Sequence, residues 1–529
     1  MAAVTPGKPG TTLIDGFVAA AAADPGRPGL EVAGECLSYG ELAERAGVLA
    51  AAIHGQAPAG SPPLTAVYGA RSSAAFTGVL GALWAGHGYV PLNPGFPTDR
   101  LAEMLRRSGA RVLIVDRERA DSVAELTRSL AEPPVVIDAE ATLAAAAGRV
   151  DPVPPAAGPE AIAYLLFTSG STGRPKGVGV THANVTSFLA AIRERYDFGP
   201  ADRFSQTFDL TFDLSVFDQF VAWDVGGCVC CPSEAQLMSP ARFIRESELS
   251  VWFSVPSLGA MMRKLRMLKP GAFPSLRWSL FCGEPLPVEL ARAWAAAAPG
   301  STVENLYGPT EATIACTVQA FDPADESGTA ELNGVIAIGR PFGGTRTLVA
   351  GSDLREVAAG EDGELLLTGP QVTPGYWLDA EKTAAAFVHP PGAGQVHYRT
   401  GDRVRRPLAA GEPLLYLGRM DHQIKVLGHR VELGEIEAVL REASGVDAAI
   451  AIGWPLTDSG AGGIAVFIAD PCADVATLRE RLGERLPDYM VPRRFELLEE
   501  LPLNANGKFD RRAMLASLDA QDPLSAART

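Results

Sequence analysis

The sequence is short of the features that would assign it at once. Its 529 residues hold seven cysteines and seven histidines, and neither set forms a metal-ligand cluster. An odd cysteine count in a long chain argues against a disulfide framework and fits a reducing compartment. Cys228, Cys230 and Cys231 lie close together, but without CxxC spacing or a neighbouring histidine, so the segment reads as a buried strand. HExxH is absent. No run reaches the roughly 18 apolar residues of a membrane span. The Ala-rich stretch after Asp15 has no basic cluster before it, so it is no targeting signal. Positive charge is scarce too: 46 Lys and Arg face 62 Asp and Glu, a net charge of −16, which gives no global attraction to nucleic acid or to anionic membranes. No internal repeat is visible. The expectation is a cytoplasmic globular protein with neither nucleic acid nor membrane as partner.

What is present is ordinary globular composition, 47% hydrophobic and 20% charged, over a length sufficient for two or more domains. Residues 37–53 open with Ser38 and Glu41, a capping box, and repeat apolar residues at helical spacing. Residues 64–68 read as a strand, 74–85 as a helix, 90–94 as a turn and 111–116 as a strand. This alternation predicts an α/β fold with largely parallel sheets. The Pro/Ala-rich segment 151–160 reads as a linker.

The chain is organised around residues 165–184. An apolar run ending at Phe167 feeds a loop of Thr168, Ser169, Gly170, Ser171, Thr172 and Gly173, closed by Pro175, Lys176 and Gly177. Small residues let several backbone N–H groups converge on one anion, the hydroxyls add uncharged donors, and Lys176 adds the positive charge. The guest that suits this is a polyphosphate. The spacing is not that of a Walker P-loop, because Lys176 is three residues beyond Gly173 and a strand-like run follows it.

Further motifs follow in order: Phe212-Asp213-Leu214-Ser215-Val216-Phe217; Leu280-Phe281-Cys282-Gly283-Glu284-Pro285; Asn305-Leu306-Tyr307-Gly308-Pro309-Thr310-Glu311; Tyr398-Arg399-Thr400-Gly401-Asp402; Gly418-Arg419-Met420-Asp421; Gly428-His429-Arg430; and Asn506-Gly507-Lys508. With the phosphate loop, this series resembles the adenylate-forming superfamily of acyl-CoA synthetases, luciferases and nonribosomal peptide synthetase adenylation domains. The resemblance covers roughly residues 12–512.

That resemblance implies a large N-terminal core of several subdomains (1–420) and a small mobile α+β domain (421–529), hinged at Asp421. It implies that ATP is held by Thr168, Ser169, Gly170, Ser171, Thr172, Gly173 and Lys176. Gly283, Glu284 and Pro285 form a shelf under the adenine. Asn305 donates and accepts at the base edge, Tyr307 stacks on it, and Gly308 completes the turn. Thr310 reaches the α-phosphate, Asp402 binds the ribose hydroxyls and Arg419 approaches them. Glu311 is the expected Mg²⁺ ligand, since a hard cation wants a carboxylate oxygen beside phosphate. Lys508 bridges the phosphate and substrate carboxylate, which makes Lys508, Glu311 and Thr168 the catalytic set.

Asp213 is implied to receive the ammonium of an amino acid, with Phe212 at the mouth of a thiol channel. The side-chain pocket would be Asp213, Leu214, Phe217, Ser254, Leu280, Cys282, Leu306, Ile314 and Ala315, apolar with one hydroxyl. This predicts a small amino acid: alanine first, then proline, serine or glycine. The expected reaction is activation as aminoacyl-AMP, then transfer to the phosphopantetheine thiol of a separate carrier protein. The stretch after Asp510 is too short for a carrier domain, so a free-standing enzyme is expected. The alternative is an acyl- or aryl-CoA synthetase, against which Asp213 argues because such acids bring no ammonium. For an acidic carrier, a basic patch is expected among Arg493-Arg494, Arg511-Arg512 and Arg405-Arg406.

Overall fold

The computed structural model describes residues 11–146, 157–169, 175–324, 331–420, 423–503 apart from positions 447, 458, 459, 470 and 472, and 509–521. Several expectations lie outside these residues: Gly170 to Gly173 of the phosphate loop, most of the 151–160 linker, Asp421 and Lys508.

The fold is α/β, as the alternation predicts. A six-stranded sheet orders its strands Val135–Asp138, Val112–Val115, Leu64–Tyr68, Gly88–Leu92, Ile162–Thr168 and Lys176–Thr181. All pair in parallel except the last two, which form an antiparallel hairpin around the phosphate loop. A nine-stranded sheet carries the parallel series Thr302–Tyr307, Trp278–Phe281, Val251–Ser254, Arg203–Ser205 and Cys228–Cys230. An antiparallel five-stranded sheet built around Asp362–Thr368 and His397–Arg405 packs beside them.

Local signals decide the boundaries. The helix Tyr39–Gln56 starts at Ser38, whose hydroxyl accepts from the Glu41 amide while the Glu41 carboxylate accepts from the Ser38 amide. The stretch read as the helix 74–85 runs Ser73–Trp84, capped by Ser72. Cys228 to Cys231 are buried and free, on and just after a strand, as expected.

Beyond residue 420, the hairpin Gln423–Val426/His429–Glu432 leads into the helix Leu433–Ser444. A three-stranded sheet, Ala449–Gly453, Ile464–Ala469 and Arg494–Leu498, completes a small α+β unit. Its apolar interior joins Val431, Ile436, Leu440, Val466, Leu478 and Met490, all of its own chain segment. No helix among the described residues is long and apolar enough to cross a membrane.

Candidate active site

Part of the predicted nucleotide set comes together beyond the C-terminal ends of the parallel strands Trp278–Phe281 and Thr302–Tyr307, where ligands of open α/β sheets bind. A cavity of about 550 Å³ is lined by Gly283, Glu284, Pro285, Asn305, Leu306, Tyr307, Gly308, Asp402 and Arg419. Gly308 has to be glycine: a Cβ there would stand 2.6 Å from the Ala315 Cα. Tyr307 donates its hydroxyl to Asp402, whose other oxygen accepts from Arg419 at 3.2 Å. The carboxylate expected on the ribose is thereby held between a phenol and a guanidinium.

Asn305 departs from expectation. Its amide NH₂ donates to the carbonyls of Ile336 and Ala337 at 3.2 and 2.9 Å. Two donor hydrogens spent on the backbone leave none for a base, so Asn305 can only accept there. Thr310, expected on the α-phosphate, stands near enough to Asp213 to oppose the rise of its pKa.

Asp213 is 5% exposed, and its Oδ2 has no hydrogen-bond partner. Burial pushes its pKa up to about 6, against the opposing pull of Thr310. An unpaired buried carboxylate oxygen is costly unless a cation arrives. Leu214, Phe217, Leu280, Cys282, Leu306, Ile314 and Ala315 of the expected side-chain pocket are all buried within the large hydrophobic core. Thr313 and Ile314 have φ of 57° and 70°, a sparsely populated region for β-branched residues. Gln371 holds them there, donating to the carbonyls of Thr313 and Ala315.

Ser254 does not join this pocket. Side chains alternate across the strand Val251–Ser254, and Ser254 shares a face with Trp252, whose indole N–H donates to the serine hydroxyl at 2.9 Å. Trp252 stacks on Trp294 in a separate core. The residue facing the pocket is Phe253, with its ring 4.6 Å from Phe217 and 5.3 Å from Phe208. The pocket therefore loses its only hydroxyl and gains a second phenyl ring.

The small unit reaches into the site through its hairpin. Ser169 donates to the Arg430 carbonyl at 2.8 Å and accepts from the Glu432 amide at 3.2 Å. Glu284 accepts from the Gly428 and Ser257 amides. In this arrangement both serve as anchors for the hairpin, beyond the nucleotide role expected of them. Gly428 sits against Val255, where any Cβ would meet a methyl at 2.5 Å. Arg430 donates to Glu311 Oε2 at 3.0 Å. Glu311 Oε1 accepts from the Tyr376 hydroxyl at 2.8 Å and lies 3.3 Å from Lys176 Nζ. These cations hold the Glu311 pKa far below the usual carboxylate range despite burial, while burial lowers that of Lys176. Thr168 keeps a buried, unpartnered hydroxyl beside them.

With both oxygens of Glu311 taken by Arg430, Lys176 and Tyr376, the residues do not fit Mg²⁺ in this domain arrangement. Among the described residues no group of three His, Cys, Asp or Glu could hold a metal either.

Two residues to which the sequence reading gave no individual role are central here. Arg430 is one. Lys425 is the other: it lines the cavity, burial lowers its pKa, and its charge is felt by Asp213, Cys282 and Glu284. A lysine between Ile424 and Val426 in a short strand was the available signal.

The basic pairs are largely spent within the chain. Arg494 pairs with Glu496, Arg511 with Glu437, Arg405 with Asp362 and Arg406 with Glu356. Arg493 and Arg512 are exposed and have no carboxylate partner among the described residues.

The family model described as AMP-binding enzyme matches residues 17–377, and that of the AMP-binding enzyme C-terminal domain matches 435–508. The AMB antimetabolite synthetase AmbB of Pseudomonas aeruginosa is 36% identical over 506 residues, 94% of this chain and 38% of that protein. The chain thus spans about two fifths of that relative. The L-proline–[L-prolyl-carrier protein] ligase of Pseudomonas fluorescens is 36% identical over 451 residues, 83% of this chain and 86% of that one. Among solved structures, the Vibrio cholerae adenylation domain AlmE in complex with glycyl-adenosine-5'-phosphate superposes with a TM-score of 0.84 at 29% identity. It covers 98% of this chain and 100% of its own.

Proposed function

The chain belongs to the AMP-binding enzyme family, and from that premise we propose that it is an adenylate-forming ligase that activates a small amino acid, alanine or glycine first, at the expense of ATP and passes it on to a carrier-protein thiol. The observation that carries the amino acid class is Asp213 Oδ2, buried and without a partner. An α-ammonium would complete it in a low-dielectric pocket where the attraction is strong. Two phenyl rings, Phe217 and Phe253, together with Leu280, Leu306 and Ile314, are the bulky buried side chains that support a small substrate in this reading. Loss of the Ser254 hydroxyl from the wall removes the feature that had favoured serine.

In the first step the substrate carboxylate, already a nucleophile at neutral pH, attacks the α-phosphorus and pyrophosphate leaves. Bringing two anions together is a matter of positioning and charge, for which we assign Lys176, the phosphate-loop amides and Lys508. In the second step a thiol attacks the adenylate carbonyl and AMP leaves. The docked hairpin supports reading this structure as the second arrangement, with residue 420 as the domain boundary and Asp421 as the hinge. In this reading Phe212, whose ring contacts His429, is assigned to the mouth of the thiol channel. The carrier is acceptor in this reading because the proline-activating relative is named as a carrier-protein ligase.

The deciding experiment is pyrophosphate exchange over a panel of twenty amino acids and the des-amino acid propionate. Exchange with alanine or glycine and none with propionate is expected. Equal exchange with propionate would refute the amino acid reading.

A further inference from the structure

We infer that Arg430 takes the place of a divalent cation on Glu311 when the hairpin docks, so that a metal ion and the docked small domain exclude one another and thiol transfer runs without metal. The inference rests on the adenylation-and-transfer reading above and goes beyond it.

Glu311 is 0% exposed and Arg430 17% at the side chain, with Nη1 and Oε2 3.0 Å apart. The other carboxylate oxygen is engaged by Tyr376 and Lys176. Mg²⁺ requires oxygen ligands at about 2.0–2.1 Å in near-ideal octahedral geometry. A guanidinium already on the carboxylate leaves neither the space nor the charge balance for it.

Arg430 is no loose side chain that could swing aside. Its Nε donates to Gln423 at 2.6 Å, and its carbonyl accepts from Ser169. Two residues earlier the Gly428 amide is held by Glu284. The guanidinium is thus delivered by the docking of a backbone, across 119 residues of sequence from Glu311.

The charge count agrees with the chemistry of each step. A triphosphate brings several negative charges and needs a divalent cation beside it. Once pyrophosphate has left, the aminoacyl-adenylate phosphate carries one. Lys176 and Arg430 against Glu311 leave one net positive charge, which matches that single anion.

The test uses the full chain and Mn²⁺, followed by electron paramagnetic resonance. It is loaded either with a non-hydrolysable ATP analogue or with an aminoacyl-sulfamoyl adenosine, a stable mimic of the intermediate. The wild type should bind Mn²⁺ at least tenfold more weakly with the mimic than with the ATP analogue. Because the triphosphate itself ligates the ion, the telling comparison is within the mimic-loaded state: Arg430→Gln should strengthen Mn²⁺ binding there at least several-fold while leaving it unchanged with the ATP analogue, and Arg430→Lys, which keeps a cation, should stay near the wild type. Single-turnover transfer from preformed aminoacyl-AMP should survive EDTA in the wild type. Mn²⁺ binding to the mimic-loaded enzyme left unchanged by Arg430→Gln, or transfer abolished by EDTA, would overturn the inference. Absence of any amino-acid-dependent pyrophosphate exchange would instead refute the underlying reading, and the inference would fall with it.

Discussion

The imidazole of His429 lies flat on the ring of Tyr489, with centroids 3.9 Å apart and planes within 7°. Phe212 tilts onto His429 at 5.7 Å and Phe96 meets Tyr489 edge-on at 6.4 Å, so the stack joins the small domain to the core. Desolvation holds the His429 pKa below its ordinary 6.5, outweighing the opposite pull of Asp209. The neutral ring is therefore the one that docks. Docking is fully favoured above pH 6.5 and weakens as pH falls through that value toward the depressed one. Thiol transfer from preformed aminoacyl-AMP should decline below pH 6.5 in the wild type, and His429→Phe should lose that limb. A flat wild-type profile from pH 7.5 to 5.5 would count against the assignment.

Asp213→Asn should raise the KM for the amino acid roughly 10²–10³-fold, the loss expected when one partner of a buried ion pair is removed. The KM for ATP should change little. The unliganded protein should gain stability at pH 7.5. With the folded pKa raised to about 6 from 3.8, the charged carboxylate costs stability as pH rises through that window. Removing it returns at most about 3 kcal/mol. Thermal melting at pH 5 and 7.5 checks the sign, because the gain should shrink at the lower pH.

Phe253→Ala should admit larger side chains such as valine and leucine, at a stability cost of about 3–5 kcal/mol. Ser254→Ala should leave the side-chain preference unchanged, because that hydroxyl faces Trp252. Exchange panels on both variants decide the matter, and a preference moved by Ser254→Ala but not by Phe253→Ala would reverse the pocket assignment.

Lys508→Ala should slow adenylate formation by roughly 10²–10³ in rate. Transfer from preformed aminoacyl-AMP should persist, since that lysine is assigned to one of two domain arrangements. Rates of the two half-reactions, measured separately, test this; equal losses would mean a single arrangement serves both.

Arg493→Glu with Arg512→Glu should raise the carrier-protein KM several-fold and sharpen nothing in amino acid activation, as rim charges set encounter rates. Arg494→Glu, which breaks the Glu496 pair and the contact with Trp454, should instead lower the melting temperature. Indifference of carrier loading both to the double reversal and to added salt would leave docking to apolar contacts.

The sequence alone determined whatever is written in local chemistry. Ser38 and Glu41 announce a helix start because both partners of the capping box lie within one turn. Asp213, Tyr307, Glu311 and Asp402 were singled out only through the resemblance of their motifs to the adenylate-forming superfamily, since an isolated Asp, Tyr or Glu carries no such role by itself. Alternating strands and helices gave the α/β class. Tertiary structure alone decided what hangs on orientation. In a strand a one-residue step reverses the face, so Phe253 rather than Ser254 meets the substrate pocket, and no local pattern says which face that is. Asn305 has a motif position, but its donors are consumed by carbonyls some thirty residues away. Arg430 reaches Glu311 only because two separately cored parts of the chain dock, and that contact is a property of their arrangement, with no trace in the spacing of either motif.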